Sequence, residues 1–255
     1  MKTIAIVNQK GGVGKTTTSV NLAACLAEEK RRVLVIDIDP QGNTTSGLGI
    51  DKDKLKASTY DVLINNLSMK QAIVGTKWDR LDISPSNIQL SGAEIELVDA
   101  SQREFRLKNA VMVVAYRYDF IIIDCPPSLG LLTLNALAMA DSVLIPIQCE
   151  YYALEGLSQL TKTIKQIRKG INPKLDVEGA LMTMFDSRTN LSIEVVHEVK
   201  RAMPKKVFKT IIPRNVRLSE APSFGEPVIY YDPSSKGASC YRELAKEIIT
   251  NNSYI

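Results

Sequence analysis

Lys10-Gly11-Gly12-Val13-Gly14-Lys15-Thr16-Thr17 follows the apolar run Ile4-Ala5-Ile6-Val7 and precedes a helix-forming run over 19–29. Strand, glycine-rich turn, helix is the setting a phosphate-binding loop needs. Glycine lets backbone N–H groups approach an anion closely, and the helix N-terminus adds the positive end of its dipole. In that setting Lys15 reaches the β- and γ-phosphates and the Thr16 hydroxyl ligates Mg²⁺, with Thr17 assigned to the α-phosphate. The general pattern G-x-x-x-x-G-K-[ST] begins with glycine, and here that position is Gln9. A second lysine, Lys10, stands beside the gap. It can complete the clamp in its own chain, reach the γ-phosphate of a second molecule as an arginine finger does, or lie solvated on the loop. Local chemistry leaves these three open.

Two more stretches bring carboxylates to the same place. Val33-Leu34-Val35-Ile36 is continuously apolar, as a strand buried on both faces must be, and ends in Asp37-Ile38-Asp39-Pro40-Gln41-Gly42-Asn43. Phe120-Ile121-Ile122-Ile123 reads the same way and ends in Asp124-Cys125-Pro126-Pro127-Ser128. An aspartate after a buried strand, downstream of a phosphate loop, is the Walker B arrangement that holds Mg²⁺ through water. Strand C-termini of an open parallel sheet face the ligand crevice, so these carboxylates are aimed at the 10–17 loop. Asp124 is the expected metal-shell residue. Asp39 is expected to position the attacking water or a metal-bound water, and Asp37 to support the metal shell or the loop. Phosphoryl transfer needs positioning and charge neutralisation rather than a covalent nucleophile. With one histidine, His197, the chain offers no Ser/His/Asp constellation, and His197 among Glu194, Glu198 and Lys200 reads as a surface residue. The combination predicts a Mg²⁺-dependent nucleoside triphosphatase.

Strands are expected at 2–7, 33–37, 81–84, 120–123, 143–147, 177–184 and 207–212. Helices are expected at 16–29, 89–98, 102–116, 130–140, 152–168, 191–202 and 237–250. This β-α-β alternation predicts a single α/β domain over 1–255, a doubly wound, mostly parallel sheet with helices on both faces. Residues 44–78 read as a surface insert with helical pieces near 59–66 and 69–74, and 213–227 as a long irregular segment. Trp78 is expected to cap a local apolar cluster.

Of 255 residues, 45% are hydrophobic and 24% charged, an ordinary globular balance. No apolar run reaches the about 20 residues that cross a bilayer. The strand at the start leaves no room for a secretory leader, so a cytoplasmic protein is expected. Cys25, Cys125, Cys149 and Cys240 match no zinc spacing and read as buried, unbridged thiols. Cys125, beside Asp124, is the one expected to be sensitive to oxidation. The net charge of +4 is unevenly placed: residues 188–255 hold 11 Lys/Arg against 7 Asp/Glu, and the rest of the chain is neutral. That asymmetry suits an anionic partner such as nucleic acid, and equally a solvated basic face.

The 10–17 stretch resembles the deviant Walker A motif of the ParA/MinD ATPases, and the stretches at 37–43 and 124–128 are similar to that family's next two motifs. Arg188-Thr189-Asn190 and the run 213–223 resemble the C-terminal motifs of the chromosomal ParA/Soj branch, so the likeness covers nearly the whole chain. The resemblance implies a P-loop NTPase fold of the deviant Walker A type, with ATP and Mg²⁺ as cofactors. Gly11, Gly12, Val13, Gly14, Lys15, Thr16 and Thr17 would hold the phosphates, Pro213 and Asn215 the adenine, and Thr16, Asp39 and Asp124 the metal. A homodimer would form when ATP-bound, with Lys10 reaching the partner's ATP and with Lys15 and Asp39 serving hydrolysis. The dimer would bind double-stranded DNA without sequence preference, through Arg188 and Arg217 foremost, with Lys205, Lys206, Lys209, Arg214, Lys236 and Arg242 in support. A ParB/Spo0J-like centromere-binding partner would stimulate hydrolysis, and members of the branch also act on the replication initiator DnaA. The expected role is chromosome or plasmid segregation by a cytoplasmic, nucleoid-associated protein.

Three rivals are weighed. A MinD-like membrane-associated ATPase needs a basic amphipathic helix at the C-terminus, where 250–255 is short and polar. An iron-protein-type cluster carrier would have to use Cys125 and Cys149, which lack suitable glycine-flanked surroundings. A scaffold that holds ATP without turnover has no use for Asp39 and Asp124.

Overall fold

A computed structural model of the chain describes residues 1–151 and 153–253. In chain order the elements are β1 (Lys2–Ile6), α1 (Lys15–Glu28), β2 (Val33–Asp37), α2 (Asn43–Gly47), α3 (Thr59–Leu63), α4 (Met69–Ala72), β3 (Val74–Gly75), β4 (Leu81–Ser84), α5 (Leu90–Glu96) and α6 (Arg106–Val111). They continue with β5 (Phe120–Asp124), α7 (Leu131–Met139), β6 (Ser142–Gln148), α8 (Ala153–Gly170), β7 (Asp176–Phe185), α9 (Asn190–Ala202), β8 (Val207–Pro213), α10 (Val216–Glu220), α11 (Val228–Tyr231) and α12 (Lys236–Asn251).

The strands form one sheet in the order β3-β4-β2-β5-β1-β6-β7-β8. All neighbours pair in parallel except β3 with β4. This is the expected doubly wound architecture. β1 lies between β5 and β6, so the chain winds outward in both directions from the centre. Loops leaving β1, β2 and β5 therefore meet at the point where strand order reverses.

The apolar strands serve two cores. Ile4 and Ile6 of β1 and Val33 and Val35 of β2 face the core that α1 and α12 close. Ala5, Leu34 and Ile36 face the core closed by α3 to α9. Such two-sided burial is why these strands read as continuous hydrophobic runs rather than alternating ones.

The sheet's two edges differ. On one side β3 is only two residues long. On the other, β8 spends five residues, Val207 to Ile211, against three in β7, Ala180 to Met182, which marks a bulge. Within it the amides of Lys209 and Thr210 donate to the Glu247 carboxylate of α12 at 2.8 and 3.1 Å.

Several expectations need correction. The 44–78 segment is not a surface insert: Thr44, Thr45, Leu48, Val62, Leu63, Met69 and Ala72 are all buried. Its polar-looking start is an interior turn of helix, and its later apolar residues complete a core. The helix expected over 102–116 shortens to α6, since Gln102 takes a left-handed φ of 50° and Ala115–Arg117 is a separate 3-10 turn. The segment 213–227 contains α10 and a second 3-10 turn, Ala221–Phe224. The expected helix start at 152 and the terminal Tyr254-Ile255 lie outside the described residues. Trp78 stacks on Tyr230 with ring centroids 5.2 Å apart, joining the α1/α12 core. The four cysteines are free and buried. Burial, with the Asp124 charge beside it, pushes the Cys125 thiol well above its ordinary range. Because the thiolate is the form that oxidises, that environment acts against the oxidation expected of Cys125.

Candidate nucleotide and metal site

The loop after β1 is fixed from two neighbouring strands. Asn8 donates to the Pro146 carbonyl of β6 at 2.7 Å and accepts from the Lys10 amide at 3.0 Å. Thr183 of β7 donates to the Val13 carbonyl at 2.9 Å. Gly12 and Gly14 adopt left-handed φ of 74° and 90°, which turn the backbone into α1 and which a side chain would strain. Gly14 is the N-cap of α1 and has no side chain to cap it, so the first helical amides face the loop.

The two lysines part company. Lys15 is buried, 7% exposed, and its Nζ donates across the loop to the Lys10 carbonyl at 3.1 Å. Burial holds its pKa below the usual value, although Asp124 and Asp39 act in the other direction. Lys10 points outward. Its Nζ pairs with Glu150 beyond β6 at 2.6 Å, and both side chains are more than two-fifths exposed.

Asp37 and Asp124 are register partners at the ends of β2 and β5. Both are fully buried. Asp124 accepts from Thr16 at 2.9 Å, Ser19 at 2.8 Å and Thr44 at 2.7 Å. Asp37 accepts from the Asp39 amide at 3.1 Å and from the Thr45 amide and hydroxyl at 2.9 and 2.7 Å. Burial first, then the neighbouring Asp124 charge, raises Asp37 to about 8, and burial likewise raises Asp124. Asp39 is 8% exposed, and its carboxylate accepts from the Gln41 amide at 3.0 Å. Just beyond Asp124, the N-terminus of α7 is capped by Glu94 of α5, which accepts from the Leu131 amide at 2.8 Å.

No three His, Cys, Asp or Glu side chains converge into a metal cage among the described residues. The donor set instead fits Mg²⁺, which keeps several waters and takes one or two protein oxygens plus substrate phosphates. Thr16 Oγ1 and the Asp124 carboxylate, 2.9 Å apart at the end of the loop, are oxygens of that kind. Beside the loop lies a cavity of about 400 Å³ lined by Gly14, Thr17, Thr183, Pro213, Asn215 and Tyr241, among others. Among the described residues, Asn215 Oδ1 is the one buried side-chain nitrogen or oxygen without a hydrogen-bond partner. A buried acceptor left open in a cavity next to an anion cradle fits the amine of a purine base.

Sequence reasoning missed Ser19, Thr44, Thr45, Thr183 and Ser86. Thr44-Thr45 directly follows the 37–43 stretch, and Ser86 follows a strand end as Asp39 does. Both are the positions where a second layer of hydroxyls would be sought.

The expected DNA-binding residues divide. The backbone of Arg214 bonds Phe185, bringing Arg214 beside the 186–188 turn, where Arg188 chelates Asp186 at 2.7 and 2.9 Å. Arg217 on α10 pairs with Glu220 and Asp232 at 2.8 and 3.0 Å. These three lie at the C-terminal end of the sheet, with the nucleotide cavity. Lys205 and Lys206 lie at the opposite end, before β8, and Lys206 pairs with Asp176 at 2.8 Å. Lys209 is on the edge strand β8, Lys236 opens α12, and Arg242 pairs with Glu28 of α1 at 2.7 Å. His197 is exposed, as expected.

A family model described as an AAA domain matches residues 1–177. The chain is 60% identical over 250 residues to the sporulation initiation inhibitor protein Soj of Bacillus subtilis, covering 98% of this chain and 99% of that protein. It is 57% identical over 246 residues to the chromosome partitioning protein ParA of Myxococcus xanthus, covering 96% and 87%. The crystal structure of a cobyrinic acid a,c-diamide synthase from Mycobacterium smegmatis with bound ADP and magnesium is similar at a TM-score of 0.87 and 40% identity, covering 99% and 96%. With that fold, that loop and those relatives, the chain belongs to the Soj/ParA family of chromosome-partitioning P-loop ATPases.

Proposed function

We propose that the protein couples ATP binding to dimerisation, and dimerisation to sequence-independent DNA binding, in chromosome or plasmid segregation with a ParB/Spo0J-like partner. The observation that carries this reading is the divergence of the two loop lysines. Lys15 is buried in its own loop, whereas Lys10 projects from it. An exposed ion pair such as Lys10–Glu150 is worth about 0–1 kcal/mol. Exchange of Glu150 for the γ-phosphate of a second chain's nucleotide therefore faces little opposition.

In this reading the loop amides and Lys15 hold the β- and γ-phosphates. Burial disfavours the Lys15 ammonium, and a phosphate adds counter-charge to that of Asp124 and Asp39. Thr16 and Asp124 would hold Mg²⁺, which would supply charge neutralisation to the bound triphosphate. Asp39 orients the attacking water. Arg188, Arg214 and Arg217 lie on the nucleotide side, and the Arg188 and Arg217 side chains are exposed enough for phosphates to displace Asp186 and Glu220. α12 buries Tyr241, Leu244 and Ile248 in the core, so its apolar face is occupied and does not offer itself to a membrane.

The test is light scattering with ATP and Mg²⁺, alongside retardation of arbitrary duplex DNA. The wild-type protein is expected to dimerise and retard DNA with ATP but not with ADP. Lys10→Ala should stay monomeric while still binding a fluorescent ATP analogue, and Arg217→Ala should dimerise but retard DNA weakly. Normal dimerisation by Lys10→Ala would sink the trans role, and equal retardation with ADP would break the coupling.

A further inference from the structure

We infer that Ser86, beyond the C-terminal end of β4, is a positioning residue for Asp39 and thereby sets the rate of hydrolysis. The inference rests on the reading of Asp39 given above. Three side chains and the Asp39 backbone close a ring of hydrogen bonds around the 37–45 turn. The Asp39 amide donates to Asp37 Oδ1 at 3.1 Å, and the Thr45 hydroxyl donates to Asp37 Oδ2 at 2.7 Å. The Ser86 amide donates to Thr45 Oγ1 at 2.9 Å, and the Ser86 hydroxyl returns to the Asp39 carbonyl at 2.7 Å. Asp37, Thr45 and Ser86 are fully buried. Asp39 thus has its amide held by one strand end and its carbonyl by another, while its carboxylate stays near the surface.

The anchor is rigid on its far side. Ser84 pairs with Ile36 in the sheet. The Thr59 amide donates to the Pro85 carbonyl at 2.8 Å, and the Thr59 and Ser84 hydroxyls bond at 2.9 Å. Thr59 opens α3, whose N-terminus is closed by a Ser58–Asp61 capping box. The turn also packs closely against the anchor: a Cβ at Gly42 would sit 2.7 Å from the Ser86 carbonyl oxygen. A turn that carries a water-positioning carboxylate is useful only if its backbone is held to a fraction of an ångström. Ser86 couples that backbone to β4, a strand that contributes none of the phosphate-site residues named above.

Ser86→Ala deletes the side-chain donor to the Asp39 carbonyl and leaves only the Gly42 amide of the turn itself, and Thr45→Val opens the ring from the other side while keeping the Thr45 amide on Asp37. Each is expected to lower kcat at saturating ATP by about tenfold or more, since misplacement by a fraction of an ångström to 1 Å is felt on that scale. KM and the affinity for a fluorescent ADP analogue should stay within about twofold. The double variant should be no slower than the worse single one, because the ring is already open. In the nucleotide-free protein, the Gly42 amide, which donates to the Asp39 carbonyl at 2.9 Å, should exchange hydrogen faster in both variants. Ser86→Thr, which keeps the hydroxyl, should recover kcat in part. A wild-type kcat in Ser86→Ala or in Thr45→Val overturns the inference, and so does a change confined to KM. Asp39→Ala separates the two levels. If Asp39→Ala is inactive while Ser86→Ala turns over normally, the positioning role falls and the role of Asp39 stands. If Asp39→Ala hydrolyses ATP at the wild-type rate, both fall.

Discussion

Replacing Asn215 by leucine should make nucleotide binding weaker and the nucleotide-free protein more stable at the same time. The side chain borders the 400 Å³ cavity beside the phosphate loop, and its Oδ1 is buried without a partner. An unsatisfied buried acceptor costs about 1–3 kcal/mol. The exocyclic amine of adenine donates to such an oxygen and recovers that energy on binding. Guanine presents a carbonyl oxygen there, so acceptor meets acceptor and nothing is recovered. At about 1.4 kcal/mol per tenfold, the wild-type protein should prefer ATP to GTP by roughly 5- to 150-fold. Asn215→Leu keeps the volume and removes the acceptor. Competition against a fluorescent ATP analogue should then show ATP affinity falling by that same factor and GTP affinity holding within about threefold. Thermal unfolding without nucleotide should rise by about 2–4 °C for each kcal/mol relieved. An unchanged ATP-to-GTP ratio, or a lower melting temperature with equal losses for both nucleotides, would refute the assignment.

Lys15→Met should leave the melting temperature of the nucleotide-free protein unchanged or slightly higher, since burial already disfavours the ammonium. Nucleotide affinity should fall by about 3 kcal/mol, roughly 150-fold, the scale of a lost charged hydrogen bond. A variant that binds ATP normally by calorimetry would remove Lys15 from the phosphate cradle. At the other end of the sheet, Glu178 is bonded by Ser142, Asn252 and Lys2. Burial pushes its carboxyl up, but those hydrogen bonds and the Lys2 charge outweigh it and hold the pKa below the usual range. A lowered folded-state pKa gives stability that is complete above the unfolded value of about 4.3 and is lost as pH falls through the folded one. Glu178→Gln should therefore flatten the stability profile between about pH 5 and 2 and lower stability at pH 7. Parallel acid-denaturation curves for the two proteins would count against that account.

The parts of the fold that were legible from sequence are those whose burial is two-sided. Val33 to Ile36 and Phe120 to Ile123 read as central strands because neither face meets water. Loop 10–17 announced itself through glycines whose backbone angles other residues would strain. Thr44, Thr45 and Ser86 stayed hidden because hydroxyls in a row look like a solvated turn. What makes them interior is a pair of buried carboxylates that need donors, and that need arises only when β2, β4 and β5 are side by side. The placement of the basic C-terminal quarter was hidden in a related way. Neighbours in a count of charges, Lys206 and Arg214 are separated by the length of β8 and lie at opposite ends of the sheet.

Glu247 has a consequence for what happens when many copies crowd together. An edge strand with free amides is a template on which a neighbour's backbone can polymerise. In β8 the amides of Lys209 and Thr210 are already taken by that carboxylate, and on the far edge β3 ends after two residues. Both flanks are thus poor templates for growth of the sheet from chain to chain. The dimer proposed above joins chains through side chains and bound nucleotide instead, contacts that can be undone when the nucleotide leaves.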